Sequence, residues 1–332
     1  MISRDDIVIV TVTYSERWDY LKKSIKSCIL QGIRNFVIFA NGIKYNLNEK
    51  ITQEFSNRGD IIFNILSEKT NKGSAFGYNL AISEAFKSNK SYIMLLDDDG
   101  ELQEGCINKL IDAYDLLSKE YGIDNLMISA LRKEHISDIK EGIIERMRKN
   151  AFRRFHIAEI FHRIMRHSII TYPEKIAIPY AVYSGLFFHK SVINRFGLPN
   201  KSFCLYGDDL EFTYRMTSNG GVIFLITNAQ ISDIQMSWWC RKSYGNPFDA
   251  LILGGIDRLI YYAFRNEVYF EKYCCKKTGI IYNLHKYTFM LILFLNALRH
   301  RRLKRFKILL DALKDGNKGI LGENINYPLN ND

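Results

Sequence analysis

Two groups of carboxylates dominate the chemistry open to this chain. Residues 91–105 read SYIMLLDDDGELQEG, so an apolar run, Tyr92–Leu96, meets three successive acids, Asp97, Asp98 and Asp99. Like charges packed together oppose one another's ionisation. A single Asp at such a place is an ordinary helix cap. Three in a row ask for a positive partner, most simply a divalent metal with oxygen ligands. The competing reading is a solvated acidic turn, because exposed charges repel only weakly in salt. The second group stands in LYGDDLEFTYRM, Leu205–Met216, where Asp208 and Asp209 open a helix-like segment. A helix N-terminus favours carboxylates electrostatically. An Asp in a cleft also serves as general base toward a hydroxyl. From the residues alone both readings stand.

The elements that must position these acids alternate between two patterns. DIVIVTVTY (Asp6–Tyr14), NFVIFANG (Asn35–Gly42), DIIFNILSE (Asp60–Glu68), YIMLL and NLMISAL are strand-like. Between them lie helical segments: Trp18, Leu21, Ile25, Cys28 and Ile29 at helical spacing, a polar helix, Ser74–Lys87 and Ile107–Ser118. Such alternation predicts an α/β fold with a mostly parallel sheet. Ligands of these sheets sit beyond the carboxyl ends of the strands. Asp97–Asp99, Thr13–Glu16 and Asn41–Gly42 occupy three such ends, which favours a site over a solvated turn. A basic, helix-prone insertion runs over about 134–172. AVYSGLFFH (Ala181–His189) and VIFLITNAQI (Val222–Ile231) then resume strand character. The chain beyond about Trp239 reads helical, which divides it into 1–239 and a C-terminal region, 240–332.

Composition narrows the function. Of 332 residues 47% are apolar and only 5 are Pro, so a large ordered core is expected. The six cysteines (Cys28, Cys106, Cys204, Cys240, Cys274, Cys275) have no CxxC spacing, which argues against zinc and for reduced thiols in a cytoplasmic setting. No signal peptide is expected, since the apolar run of MISRDDIVIV is too short. The most apolar stretch, Tyr287–Leu298, is too short for a membrane span and is followed by RHRRLKRFK. The net charge of +10 concentrates in Arg146–His167 and Arg299–Lys307. Such patches attract anionic lipid, phosphorylated substrates or nucleic acid. Nucleic acid is disfavoured, because no binding motif accompanies the charge.

The order TVTYSER, ANG, NKGSAFGYN, LLDDDGEL and YGDDLEFTYR resembles that of family 2 glycosyltransferases, over about residues 5–235, with an echo in YYAFRN, Tyr261–Asn266. The resemblance implies a Rossmann-like GT-A domain, a nucleotide-sugar donor, Mn²⁺ or Mg²⁺, and an inverting transfer to a glycan hydroxyl. It assigns Asp97 and Asp99 to the metal and places Asp98 near the ribose. Thr13, Tyr14, Glu16 and Asn41 would line the nucleotide pocket, with Lys72 and Asn79 bordering the donor. Asp209 matches the catalytic base, with Asp208 beside it. Asp233 falls where relatives often carry a metal-binding His, a carboxylate being suited to these ions. Trp238 and Trp239 are candidates to stack on an acceptor sugar. The motifs look closest to galactofuranosyltransferases using UDP-galactofuranose, with dTDP-rhamnose transferases as neighbours. A non-catalytic nucleotide-binding scaffold is the remaining alternative, disfavoured by two intact acidic clusters. The bacterial surface-polysaccharide enzymes of this kind imply a lipid-linked acceptor. The apolar and basic tail would then lie on the inner face of the cytoplasmic membrane.

Overall fold

The computed structural model describes residues 2–56, 59–132, 150–158, 172–235, 244 and 246–330. Its centre is a sheet whose strands bury alternate residues on opposite faces. In β1 (Ile7–Ser15), Ile7 and Ile9 join one core while Val8, Val10 and Val12 join the other. β2 (Asn35–Ile43) repeats this with Phe36, Ile38 and Ala40 against Val37 and Phe39. Apolar side chains on both faces demand helices on both faces. On the first face lie α1 (Trp18–Leu30), α2 (Leu47–Phe55) and α4 (Cys106–Tyr121). The second carries α3 (Ser74–Lys87), α5 (Ser191–Phe196) and α6 (Asp208–Ser218). Helix α3 sits close on the sheet because Gly77 has no side chain; a Cβ there would lie 2.8 Å from Val12 Cγ1.

β3 (Ile62–Glu68), β2, β1 and β4 (Tyr92–Leu95) run parallel in that spatial order. β8 (Leu186–His189) then enters antiparallel between β4 and β6 (Leu126–Arg132). β9 (Val222–Asp233) lies parallel to β6, and two short strands, β5 (Gly100–Leu102) and β7 (Lys175–Ala177), pair antiparallel with it. The expected α/β architecture is what the chain adopts, with corrections of detail. The sequence predicts a strand across Ala181–His189, but only Leu186–His189 is strand. Gly185 (φ 91°) turns the chain there, and the Leu186 N–H donates to the Tyr183 carbonyl at 2.8 Å. β5 and β7 are too short to show periodicity in sequence, and β5 matters because it brings Asp233 opposite Gly100. Most of the basic insertion (133–149 and 159–171) lies outside the described residues.

The C-terminal region is helical, as expected: α7 (Pro247–Leu253), α8 (Asp257–Tyr269), α9 (Ile280–Arg299) and α10 (Leu303–Lys318). A single π-turn, Phe270–Cys274, extends α8. These helices form a third core that also takes in Phe152 and Cys204. The described part of the insertion is fastened to them. Arg153 pairs with Glu267 at 2.8 Å, its N–H donates to Glu271 Oε1 at 2.9 Å, and Lys277 Nζ donates to the Ala151 carbonyl at 3.1 Å. Among the described residues no helix is long and apolar enough to cross a membrane.

Candidate active site

Three strand ends and one helix start converge here. β4 stops at the acids: the Leu96 N–H still donates to the Val10 carbonyl, and a turn then closes from the Gly100 N–H to the Asp97 carbonyl at 2.9 Å. The positive partner that the acids require is an arginine, Arg17, at the entry to α1. Its Nε lies 2.8 Å from Asp98 Oδ2, and its Nη2 donates to Asp98 Oδ1 at 2.7 Å and to Asp99 Oδ2 at 2.9 Å. A further Nη1 hydrogen bond goes to Gln235. The guanidinium lies over the rings of Tyr20 and Tyr14, at 4.8 and 5.0 Å, a favourable place for a cation. Burial opposes the Arg17 charge, but the hydrogen bond and charge of Asp98 outweigh it and raise its pKa.

Each acid has its own surroundings. Asp98 is buried, with Thr13 Oγ1 donating to its Oδ2 at 2.8 Å. Burial raises its pKa, and the Arg17 and Thr13 hydrogen bonds pull against that rise. Tyr78, from α3, donates to Asp97 Oδ1 at 2.8 Å. Arg132, at the end of β6, sits 3.9 Å from Asp97 Oδ2 and is ion-paired with Asp233. Asp99 is pushed up to about 6, first by burial and then by the charges of Asp97 and Asp98, against the pull of Arg17.

The second cluster arrives on a helix packed against the second face of the sheet. Gly207 (φ 81°) turns the chain into α6, and Asp208 and Asp209 are the first two residues of that helix. Asp208 is 2% exposed, and Asp209 Oδ1 accepts the Leu210 N–H at 2.8 Å. Burial raises both carboxyls. The charge of Asp209 adds to the rise at Asp208; Asp97 adds to it at Asp209, where Arg132 opposes it. The two clusters therefore feel each other across the site. Tyr78 and Tyr183 form the wall between them, ring centroids 4.4 Å apart.

Several expected roles change once the geometry is known. Both oxygens of Asp98 are engaged by Arg17 and Thr13, so it is an anchor for Arg17 rather than an open contact for a ribose. Thr13 is fully buried behind it. Asn41 is also buried and fully used: its Nδ2 donates to Asn71 Oδ1 and the Gly73 carbonyl, and its Oδ1 accepts the Lys72 N–H at 2.8 Å. It shapes the 70–73 loop instead of presenting an amide to a base. Asn79 donates to the Pro199 carbonyl at 2.7 Å, which makes it a tether between elements. Asp233 is paired with Arg132, and among the described residues no group of three or more acids, His or Cys is arranged to hold a metal. The trio Asp97, Asp99 and Asp233 is thus not assembled as a three-ligand site. Tyr14, Glu16 and Lys72 are exposed, Tyr14 with its ring against the Arg17 guanidinium. Trp238 and Trp239 lie outside the described residues.

Sequence reasoning missed Arg17, Arg132, Tyr78 and Tyr183. A signal existed for Arg17 alone: it closes TVTYSER at the strand end next to β4, and the acids demanded a cation. The crowding at Asp99 yields a test on metal-free protein. With its folded pKa near 6, above the ordinary value, the stability it contributes is complete below about pH 3.9 and lost as pH rises through about 6. Asp99→Asn is therefore expected to be more stable than wild type at pH 7.5, by on the order of 2 kcal/mol. The advantage should shrink toward zero as pH approaches 4. Urea unfolding at a series of pH values measures this, and a variant no more stable than wild type at pH 7.5 contradicts the crowding.

Comparison with known proteins bears on the family and the fold. The profile described as "Glycosyl transferase family 2" matches residues 8–192, more than half of the chain. The match includes the first acidic cluster and stops short of the second. No curated protein sequence matches. Among solved structures, GalNAc-T7 with UDP, GalNAc and Mn²⁺ superposes with a TM-score of 0.52 at 12% identity, over 86% of this chain and 54% of that one. This chain thus spans about half the length of that neighbour. The mannosyltransferase PcManGT from Pyrobaculum calidifontis, in complex with GDP-Man and Mn²⁺, gives 0.49 at 9% identity, over 95% and 89% of the two chains. S. aureus TarS 1–349 gives 0.46 at 11%, over 94% and 91%. At such identities the first likeness speaks for the fold alone, a GT-A arrangement of sheet and helices. With the profile lying across the parallel strands and the acidic turn that ends β4, the chain belongs to glycosyl transferase family 2.

Proposed function

We propose that the protein transfers a sugar from a nucleotide-sugar donor to a hydroxyl of a glycan acceptor, with inversion at the anomeric carbon. The observation that carries this reading is the meeting of two acidic clusters across one pair of tyrosines: Tyr78 donates to Asp97 Oδ1 at 2.8 Å and its ring lies 4.4 Å from that of Tyr183, whose hydroxyl is pushed up by burial and by the charges of Asp208 and Asp209. One cluster suits the departing diphosphate and the other suits the incoming hydroxyl.

The first cluster fits a divalent cation. Asp97 and Asp99 offer hard oxygen donors, and burial together with the neighbouring charges of Asp97 and Asp98 raises the Asp99 carboxyl despite its pairing with Arg17, so a further cation would favour its ionised form. Two carboxylates, with phosphate oxygens completing the shell, are the usual protein share for Mg²⁺; Mn²⁺ takes the same ligand types. When bound, the ion supplies charge stabilisation to the diphosphate leaving group. Exposed Tyr14, Glu16 and Lys72 border the space where a nucleotide would lie.

Proton transfer falls to the second cluster. Asp208, the more deeply buried acid, is the better placed to keep a proton, which leaves Asp209 ionised as the base. Asp209 takes the proton of the acceptor hydroxyl as that oxygen bonds to the anomeric carbon. The bond from that carbon to the diphosphate oxygen breaks, and the nucleoside diphosphate leaves with its electron pair. Attack opposite the leaving group inverts the centre and needs no protein nucleophile. The motif likeness favours UDP-galactofuranose as donor.

The C-terminal helices support attachment to an anionic membrane surface, where a lipid-linked acceptor would be met. Helix α9 buries Tyr282, His285, Phe289, Leu293 and Ala297. Its other face, with Ile280, Leu284, Tyr287, Leu291, Leu295 and Leu298, is apolar and exposed. The most apolar stretch, Tyr287–Leu298, is therefore divided between core and surface. Arg301, Arg302, Lys304 and Lys307 are exposed beyond the end of this stripe, while Arg305 is tied to Asp257 at 3.2 Å. Each Lys or Arg near an anionic surface contributes about 1 kcal/mol.

Two outcomes are expected. Asp209→Asn should cut turnover by roughly 10² to 10⁴ while donor affinity by calorimetry stays close to wild type. An active Asp209→Asn beside an inactive Asp208→Asn would reassign the base by one residue. In liposome flotation the protein should rise with anionic vesicles at low salt and progressively less at high salt. Equal recovery with neutral lipid, or none with either, would remove the membrane from this reading.

A further inference from the structure

The loop that delivers Asp208 and Asp209 is held in a costly conformation. Cys204 (φ 65°) and Tyr206 (φ 63°) both lie in the left-handed region, and Gly207 (φ 81°) follows. Side-chain-bearing residues rarely adopt that region, and two of them in four positions persist only where the surroundings enforce it. The enforcing group is an amide from the C-terminal helices. Asn266, fully buried on α8, points its Nδ2 at three carbonyls of the loop: Phe203 at 2.8 Å, Leu205 at 2.7 Å and Tyr206 at 2.9 Å. Two N–H groups are shared among three acceptors, so no other side-chain orientation serves the loop as well.

The amide is itself oriented. Arg265 Nε donates to Asn266 Oδ1 at 2.8 Å, which fixes the oxygen end of the amide and hence the nitrogen end. The same guanidinium donates to the Phe203 carbonyl at 3.2 Å and to the Gly322 carbonyl at 2.6 Å, and it lies 4.7 Å over the Tyr262 ring. Five residues of the YYAFRN segment, Tyr261, Tyr262, Phe264, Arg265 and Asn266, are without solvent exposure. On its far side the loop meets the 70–73 turn. The Ala75 N–H donates to the Cys204 carbonyl at 3.1 Å, and a Cβ on Gly73 would lie 2.1 Å from that oxygen. The loop is thus pinned between the donor-side turn and the C-terminal helices, and Asp208 and Asp209 open the helix it launches.

We propose that Asn266, oriented by Arg265, is a positioning residue for Asp209, setting the base by holding residues 203–207 in their left-handed turn. The YYAFRN segment would then be the means by which the helical region serves the reaction. The proposal rests on the reading of Asp209 as base, and its test separates the two. Asn266→Ala is compared with wild type by hydrogen exchange of the 203–209 amides, by donor affinity and by turnover. Exchange in 203–209 should quicken at least about 10-fold with the sheet unchanged. Turnover should fall by about 10²-fold, the scale of an ångström's misplacement, with donor affinity within about twofold of wild type. Because Asn266 acts through the base, Asn266→Ala should slow Asp209→Asn no further. Unchanged exchange, an equal loss in the Asp209→Asn background, or a matching loss of donor affinity would each overturn the proposal. If Asn266→Ala fails to fold, Asn266→Ser keeps one donor and is read in the same way. A wild type that moves no sugar from any nucleotide donor would sink the functional reading, and the exchange experiment would still decide whether Asn266 holds the loop.

Discussion

Three carboxylates at the end of one buried strand set the terms for the rest of this protein. Asp97, Asp98 and Asp99 follow β4 directly, where the backbone is still bonded to β1. Their repulsion is answered unequally. Arg17 binds Asp98 on both oxygens and reaches Asp99, while Arg132 lies farther from Asp97 and is shared with Asp233. Charge is therefore neutralised at the buried centre of the cluster and left in excess at its edges. Carboxylates left short of full compensation favour a cation, because a nearby opposite charge stabilises their ionised form. The excess lies at Asp97 and Asp99, the two acids nearest to open space.

The same economy runs through the surrounding elements. Tyr78 reaches Asp97 from a helix that sits close on the sheet because Gly77 lacks a side chain. Asn41 spends its whole amide on the turn that leads into that helix. That turn touches the loop of the second cluster at Cys204, and the C-terminal helices hold the loop from behind. The α/β part and the helical part thus meet at the carboxylates rather than merely side by side. Polar residues at strand ends, which look like ligand contacts in sequence, are largely consumed in building the frame. The groups left for a ligand are fewer and more exposed.

Much of the fold was legible because strands buried on both faces write continuous apolar runs, as in Ile7–Val12 and Phe36–Ala40. The helices of the first half announced themselves by spacing, and Ser74–Lys87 has the bounds its pattern predicts. Gly185 shortened the expected strand before β8, a matter of backbone conformation that periodicity does not encode. At the site, the acids were legible as residue types, but their partners were not. Arg132 and Tyr78 come from elements distant in sequence, and Asn266 from another core altogether. Asn41 and Asn79 show the converse difficulty: an amide at a strand end or in a helix gives no sign in sequence of whether it faces a ligand or a backbone carbonyl. Only the pairing of strands and the course of the loops decide that.

On the proposed function, the acids at the end of β4 bind a nucleoside diphosphate with the help of a divalent ion. Calorimetric titration of the metal-stripped protein with UDP, with and without Mn²⁺, tests it most directly. The account predicts binding that needs Mn²⁺ and is lost in Asp97→Asn, with the variant still folded. Binding of equal strength in EDTA, or undiminished in Asp97→Asn, would contradict it.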